Sequence, residues 1–249
     1  MQLVDTHAHL DFDQYDGDRG SVIERCREEM VAVVNSGTNV ERNEASLELA
    51  EENDFIQATL GFHPTYIKED KSVDRIEEQI RDNEDRIVGI GEIGLDYHHV
   101  QEDKWREEQE EIFIRFLELA EELQLPVVLH TRDAEKRVME ILEGKDVEVI
   151  LHTFNGSPEL AEAAVERGYT IGVSTQVLYS NRVQDIVETV PLDSIVLETD
   201  APFLYQGDRN APWNVGESAE KISEIKGEGA EDVAKATTEN ASEIFGLEP

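Results

Sequence analysis

The sequence predicts an α/β protein of the (β/α)8 or TIM-barrel class, folded as a single domain. Three observations lead there: short β-branched runs recur eight times, helix-periodic polar segments separate them, and no linker, repeat or composition break interrupts the 249 residues. Eight strands alternating with helices in ~250 residues are the usual content of such a barrel. An open doubly wound sheet is the alternative. A chain of this length can bury a single core, so residues 1–249 are read as one unit.

Strands are expected at 2–6, 31–35, 55–60, 86–91, 126–130, 147–152, 169–173 and 194–198, each a β-branched run bounded by polar or turn residues. Helices are expected at 39–52, 73–84, 102–123, 134–143, 158–167 and 181–189, with a C-terminal helical stretch over 215–245. Within 102–123, Trp105, Ile112, Phe113, Phe116, Leu117, Ala120 and Leu123 make an apolar stripe and glutamates fill the other face. Ser157 followed by Pro158 is a helix start, cap then proline. The segment around Cys26 also looks helical, and one cysteine excludes an intrachain disulfide. The loop 200–215, with Pro202, Gly207 and Pro212, is the longest irregular stretch, and such loops often carry function.

The chain has 57 acidic and 22 basic residues, a formal charge of −35, and only eight of the basic residues are lysine. Self-repulsion at this charge loosens a compact state in dilute buffer, and molar salt, with a Debye length of ~3 Å, removes it. Acidic residues are spread along the whole length, as in proteins of salt-in halophiles, so a salt-adapted surface is expected rather than a dock for a basic partner. No stretch approaches the ~20 apolar residues of a membrane helix, and residues 1–5 carry no basic, apolar-cored leader. A soluble, cytoplasmic protein with no obligate protein partner is expected. No basic stripe, zinc-finger spacing or helix-turn-helix pattern speaks for sequence-specific DNA binding.

The unusual residues share one structural place. His7 and His9 follow the first strand, His63 the third, and Asp200 the eighth, while Glu92, His130 and His152 end the fourth, fifth and sixth. In a barrel these positions lie on the C-terminal rim, where active sites are found. His7 and His9 are two apart, so on a strand both imidazoles face one way. Imidazoles with carboxylates suit a divalent ion such as zinc, manganese, cobalt or nickel, or magnesium through the carboxylates. The donors are too many for one tetrahedral ion, and two ions with Glu92 bridging would use them all. Glu198 and Asp5 lie two residues from Asp200 and His7 and are candidates for orienting them. His98 and His99 are read as loop residues.

The segments 5–9 (Asp-Thr-His-Ala-His), 61–64 (Gly-Phe-His-Pro), 89–97 (Gly-Ile-Gly-Glu-Ile-Gly-Leu-Asp-Tyr), 129–132 (Leu-His-Thr-Arg), 151–157 (Leu-His-Thr-Phe-Asn-Gly-Ser) and 197–202 (Leu-Glu-Thr-Asp-Ala-Pro) resemble the TatD family of metal-dependent deoxyribonucleases, amidohydrolase-like barrels, in family order. The resemblance implies a TIM barrel with one to three divalent ions that hydrolyses DNA phosphodiesters, often from the 3′ end. It implies His7, His9, Glu92, His130, His152 and Asp200 as metal ligands and His63 near the scissile phosphate. Arg209 and Asn210 match the family's Arg-Asn-x-Pro loop. Thr153 and Asn155 depart from the family's usual residues without touching a ligand.

The expected chemistry is metal-assisted hydrolysis of DNA, single-stranded or at strand ends. Asp200 is the candidate base, Glu92 the bridging carboxylate, and His63 assists the leaving oxygen. Arg132 and Arg209 are candidate phosphate contacts. Phe62, Tyr97, Phe154, Phe203 and Trp213 are candidates for stacking on an end base. The alternative is amide or ester hydrolysis on the same barrel, such as aminoacyl-tRNA deacylation. A noncatalytic binding protein fits least well with a candidate base kept beside a full ligand set.

Overall fold

The computed structural model describes residues 1–69 and 72–247. All eight expected strands form: β1 Val4–Ala8, β2 Ala32–Ser36, β3 Ile56–Leu60, β4 Gly89–Gly94, β5 Val127–His130, β6 Val149–Leu151, β7 Thr170–Val173 and β8 Ile195–Leu197. They run parallel in sequence order as one sheet. Ala8 bridges Ala201, His9 N donates to Ala201 O (2.7 Å) and Asp200 N to His7 O (2.9 Å), which joins β8 back to β1. The (β/α)8 barrel thus holds over the open doubly wound sheet.

The helices are α1 Arg19–Glu29, α2 Val40–Glu52, α3 Val73–Asp82, α4 Asp103–Leu123, α5 Glu135–Ile141, α6 Pro158–Val165, α7 Asn181–Thr189, α8 Val215–Lys226 and α9 Ala230–Phe245. Helix α1 is the segment around Cys26, whose thiol is buried. The side chains of Asn39, Ser157 and Ser180 cap α2, α6 and α7, accepting from Arg42 N, Leu160 N and Val183 N. The C-terminal stretch is two helices rather than one, because Gly227 takes a left-handed conformation (φ 70°) that ends α8. Among the described residues, no helix is long and apolar enough to cross a membrane.

The interior positions the site. Val34, Val128, Ile150 and Val196 pack with Val4, Ala32 and the C-terminal residues of α9, Ala241, Ile244 and Phe245. Two residues further on stand Ser36 and His130, and just past the ends of β6 and β8 His152 and Glu198, whose N–H groups still bond to the neighbouring strands, so all four share those faces by strand alternation. An apolar layer therefore floors a polar one, and α9 plugs the far end. The pairing shifts between Asp5 and Ala8 of β1, and again between Ile90 and Ile93 of β4. Such irregularities re-aim side chains, and they fall on the strands that carry His7 and Glu92.

Candidate metal centre and active site

Glu92 is the hub. Its Oε2 lies 3.4 Å from His7 Nε2 and 3.9 Å from His9 Nε2, while its Oε1 lies 2.7 Å from His130 Nδ1, 3.4 Å from His63 Nε2 and 3.9 Å from His152 Nε2. Asp200 Oδ1 closes the group at 3.5 Å from His9, 3.8 Å from His152 and 3.9 Å from His7. His7 Nε2 and His9 Nε2 are 3.2 Å apart. Gly61 allows the hub its place, since a Cβ there would stand 2.6 Å from the Gly91 carbonyl carbon and the Glu92 backbone carbonyl oxygen.

Each imidazole is aimed by its far nitrogen. Nδ1 of His9 donates to the Ser36 carbonyl (2.8 Å), so its Nε2 carries the lone pair. Nδ1 of His7 meets Ser36 Oγ (3.2 Å), and Nδ1 of His152 meets Glu198 Oε1 (3.0 Å). His130 is reversed: Nε2 sits on Asp96 Oδ2 (2.9 Å) and Nδ1 faces Glu92. His63 differs in kind, because its Nδ1 accepts from Thr65 N–H (3.3 Å), which leaves the ring proton on Nε2, toward Glu92. Its Nδ1 also meets Thr65 Oγ1 (2.7 Å), and His63, Glu92 and His130 form a further group that could hold an ion.

The donor set fits a divalent ion. With metal–nitrogen bonds of about 2.0–2.1 Å, the ligand atoms of a tetrahedral ion lie about 3.4 Å apart. The separations among His7, His9, Glu92 and Asp200 given above scatter around that value, and the triads His7, Glu92, His152 and His7, His9, Asp200 could each hold an ion. Charge points the same way. Burial opposes ionisation of Glu92, yet His63, His130 and His7 outweigh it and hold the carboxyl well below its ordinary range. Asp200 is likewise lowered, burial being outweighed by His9 and His152. Burial also disfavours charged imidazoles, but Asp96 and Glu92 raise His130 to about 9, and Glu198, Glu92 and Asp200 raise His152 to about 10. This is a pocket of buried carboxylates that draws in positive charge.

The family model described as TatD related DNase matches residues 4–246. The chain belongs to the TatD family. Among its TatD relatives, an uncharacterized metal-dependent hydrolase of Methanocaldococcus jannaschii is 36% identical, over 98% of this chain and 97% of that one. The human deoxyribonuclease TATDN3 is also 36% identical, over 98% of this chain and 94% of its own. The crystal structure of YjjV, a TatD homologue from Escherichia coli, superposes with a TM-score of 0.89 at 30% identity, covering 99% of this chain and 98% of that one. The TatD chain described here is accordingly a metal-dependent hydrolase.

The structure of this TatD protein brings together His7, His9, His63, Glu92, His130, His152 and Asp200. Arg209 does not join them: it forms a two-pronged pair with Asp18 (2.7 Å each), donates to Gln14 O and covers Tyr15. In a chain this rich in acids, the guanidinium finds a carboxylate partner on the surface. Arg132 is exposed on the loop after β5 and, among the described residues, no side-chain partner engages it. Of the five stacking candidates, Phe62 and Phe154 are buried, Tyr97 donates to Glu110 (2.6 Å) under Arg106, and Trp213 lies beneath Arg25. Phe203 alone of them is open.

Sequence reasoning gave no role to Ser36 and Asp96, which aim three of the imidazoles. Asp96 lies four residues past Glu92 in the same motif, a usable signal; Ser36 carries none. Asn210, matched by motif, braces the loop from inside, donating to Thr199 O (2.9 Å), Phe203 O (2.8 Å) and Thr175 Oγ1 (3.0 Å). His98 and His99 pair with Asp133 and Asp96 on the outer loop.

Proposed function

We propose that this chain is a deoxyribonuclease that hydrolyses phosphodiester bonds at single-stranded or frayed ends of DNA, with two divalent ions held by His7, His9, Glu92, His130, His152 and Asp200. The observation that carries it is the two-sided Glu92: one oxygen faces His7 and His9, the other His130 and His152, the arrangement expected of a carboxylate shared between two cations. When bound, the ions supply activation of a water and stabilisation of charge on the phosphoryl oxygens.

The protein's own groups do the rest. Asp200 is the base, since its side chain is 18% exposed where that of Glu92 is 3% exposed, so water reaches it. The left-handed backbone at Asp200 (φ 56°) and the bond from its N–H to His7 O fix the direction of the carboxylate. His63, with its proton on Nε2, donates toward the leaving oxygen. Arg132 offers a guanidinium to an arriving phosphate. The human relative, a deoxyribonuclease by name, supports DNA as substrate.

Asp200→Asn and Glu92→Gln should each cost on the order of 10²–10⁴ in rate while the circular dichroism stays native. The assay is release of nucleotides from end-labelled single- and double-stranded DNA, run beside a panel of esters and amides and with elemental analysis of the purified protein. Near-normal nuclease activity in both variants rejects the assignment, and turnover of the esters or amides without DNA cleavage replaces the substrate.

A further inference from the structure

Among the described residues, the exposed large hydrophobic side chains are Met1, Tyr179 and Phe203. Two of the three belong to the rim loops after β7 and β8. In a chain whose apolar side chains are otherwise so well covered, a pair of open rings at the mouth of the polar cluster calls for a ligand with an apolar face.

The rings are anchored. Phe203 is 41% exposed, yet its N–H donates to Asp200 O (2.8 Å) and its carbonyl accepts from the buried Asn210 side chain (2.8 Å). Its ring stands edge-on to Phe12 (5.9 Å between centroids), which stacks on His9 (4.6 Å), and it lies 6.4 Å from His9 itself. A continuous row of rings thus runs from the cluster to solvent. Tyr179, 46% exposed, donates through its hydroxyl to Leu204 O (3.2 Å), and Thr175 Oγ1 donates to the same carbonyl (2.7 Å), which ties the two loops together.

We propose that Phe203, with Tyr179 on the rim loop tied to its own, is the platform on which the terminal bases of a single-stranded DNA end stack as the adjoining phosphodiester enters the cluster. The proposal rests on the nuclease reading and names what selects its substrate. Every base has a π-face, so such a platform is indifferent to sequence, and stacking survives the molar salt that abolishes phosphate steering. A base held in a duplex already has its faces covered, which favours a free or frayed end. The aromatic side chains closed off elsewhere in the site leave no other candidate among those the sequence offered.

The test uses the full chain loaded with manganese and two oligonucleotides that differ only in the terminal pair of residues, normal bases or abasic tetrahydrofuran. The wild-type chain should prefer the base-bearing end by roughly tenfold or more in kcat/KM, the range set by stacking of one or two bases. Phe203→Ala and Phe203→Leu should lose that preference, the leucine variant because it keeps the packing on Phe12 without a π-face, and Phe203→Trp should keep it. A second readout is quenching of 2-aminopurine at the end of a phosphorothioate-blocked strand, present with wild type and the tryptophan variant and weakened in the other two. Equal use of abasic and normal ends by wild type, or a preference and quenching unchanged in Phe203→Leu, overturns the platform while leaving the nuclease intact. A wild-type chain that cleaves neither oligonucleotide overturns the nuclease reading and the platform with it.

Discussion

Glu198→Gln tests how the site is held together. Glu198 is fully buried, and its Oε1 accepts from Thr153 N, from Thr153 Oγ1 (2.7 Å) and from His152 Nδ1 (3.0 Å). Its Oε2 has no partner and sits where a Cβ on Gly172 would come within 2.5 Å. A glutamine keeps an oxygen at the first position but places an NH2 at the second, facing no acceptor. Hydrogen bonds to a charged acceptor exceed neutral ones by about 1 kcal/mol, and a buried unmet donor costs about 1–3 kcal/mol, so three weakened bonds and one orphaned amide come to roughly 4–6 kcal/mol. Removing a negative charge near Glu92 and Asp200 returns part of this in the metal-free chain but not in the loaded one. The metal Kd should therefore rise about 10–100-fold, as for other residues that aim a ligand through its far nitrogen. Chelator competition measures the Kd, and melting with and without metal measures the stabilisation that the ion contributes. If Kd and both Tm values match wild type, Glu198 does not orient His152 and the reasoning fails.

Two further outcomes are expected. Gly61→Ala should strip bound metal and lower stability, because its methyl would press on the backbone of Gly91 and Glu92 at 2.6 Å; full metal content by elemental analysis in a folded variant would contradict the account of the hub. Dialysis from molar salt into dilute buffer should reduce ordered structure, given a net charge of −35, and a far-ultraviolet circular dichroism spectrum identical in both would refute the reading of the surface as salt-adapted.

What could be read from the sequence followed the physics of each feature. Strand 127–130 is a β-branched run before a turn, and such runs are visible wherever a strand is buried on both faces. Rim residues could be located because a barrel puts the ends of all its strands in one place, so His130 and Asp200 fall together although they lie 70 positions apart. Direction was not legible. Strand alternation alone does not reveal that β1 and β4 each shift register near His7 and Glu92. Nor does it reveal that His130 turns its Nδ1 inward because Asp96 holds its Nε2. Side chains on loops were hardest: Arg209 and Phe203 lie six residues apart, yet one is bound to Asp18 and the other is open, a difference decided by which neighbours the loop brings within reach.

If the chain acts on DNA as proposed, so acidic a protein has to obtain binding without a basic groove. Here the arginines are largely spent on the protein's own acids: Arg42 on Asp11 and Asp13, Arg81 on Glu122, Arg115 on Asp74 and Glu77, Arg137 on Glu110 and Glu140. Such exposed pairs add little stability each, but they leave few cations to gather phosphates along a duplex, so the counterion-release contribution that drives most DNA binding is small. Attraction for the substrate must then be concentrated where the local charge is reversed. On the proposed nuclease reading, the cluster of buried carboxylates and imidazoles would do that by holding divalent cations, so that acidity which repels DNA over the surface would also supply the donors of the site that grips one phosphate. A single point of attraction, flanked by a ring that a base can cover, suits the end of a strand better than its middle.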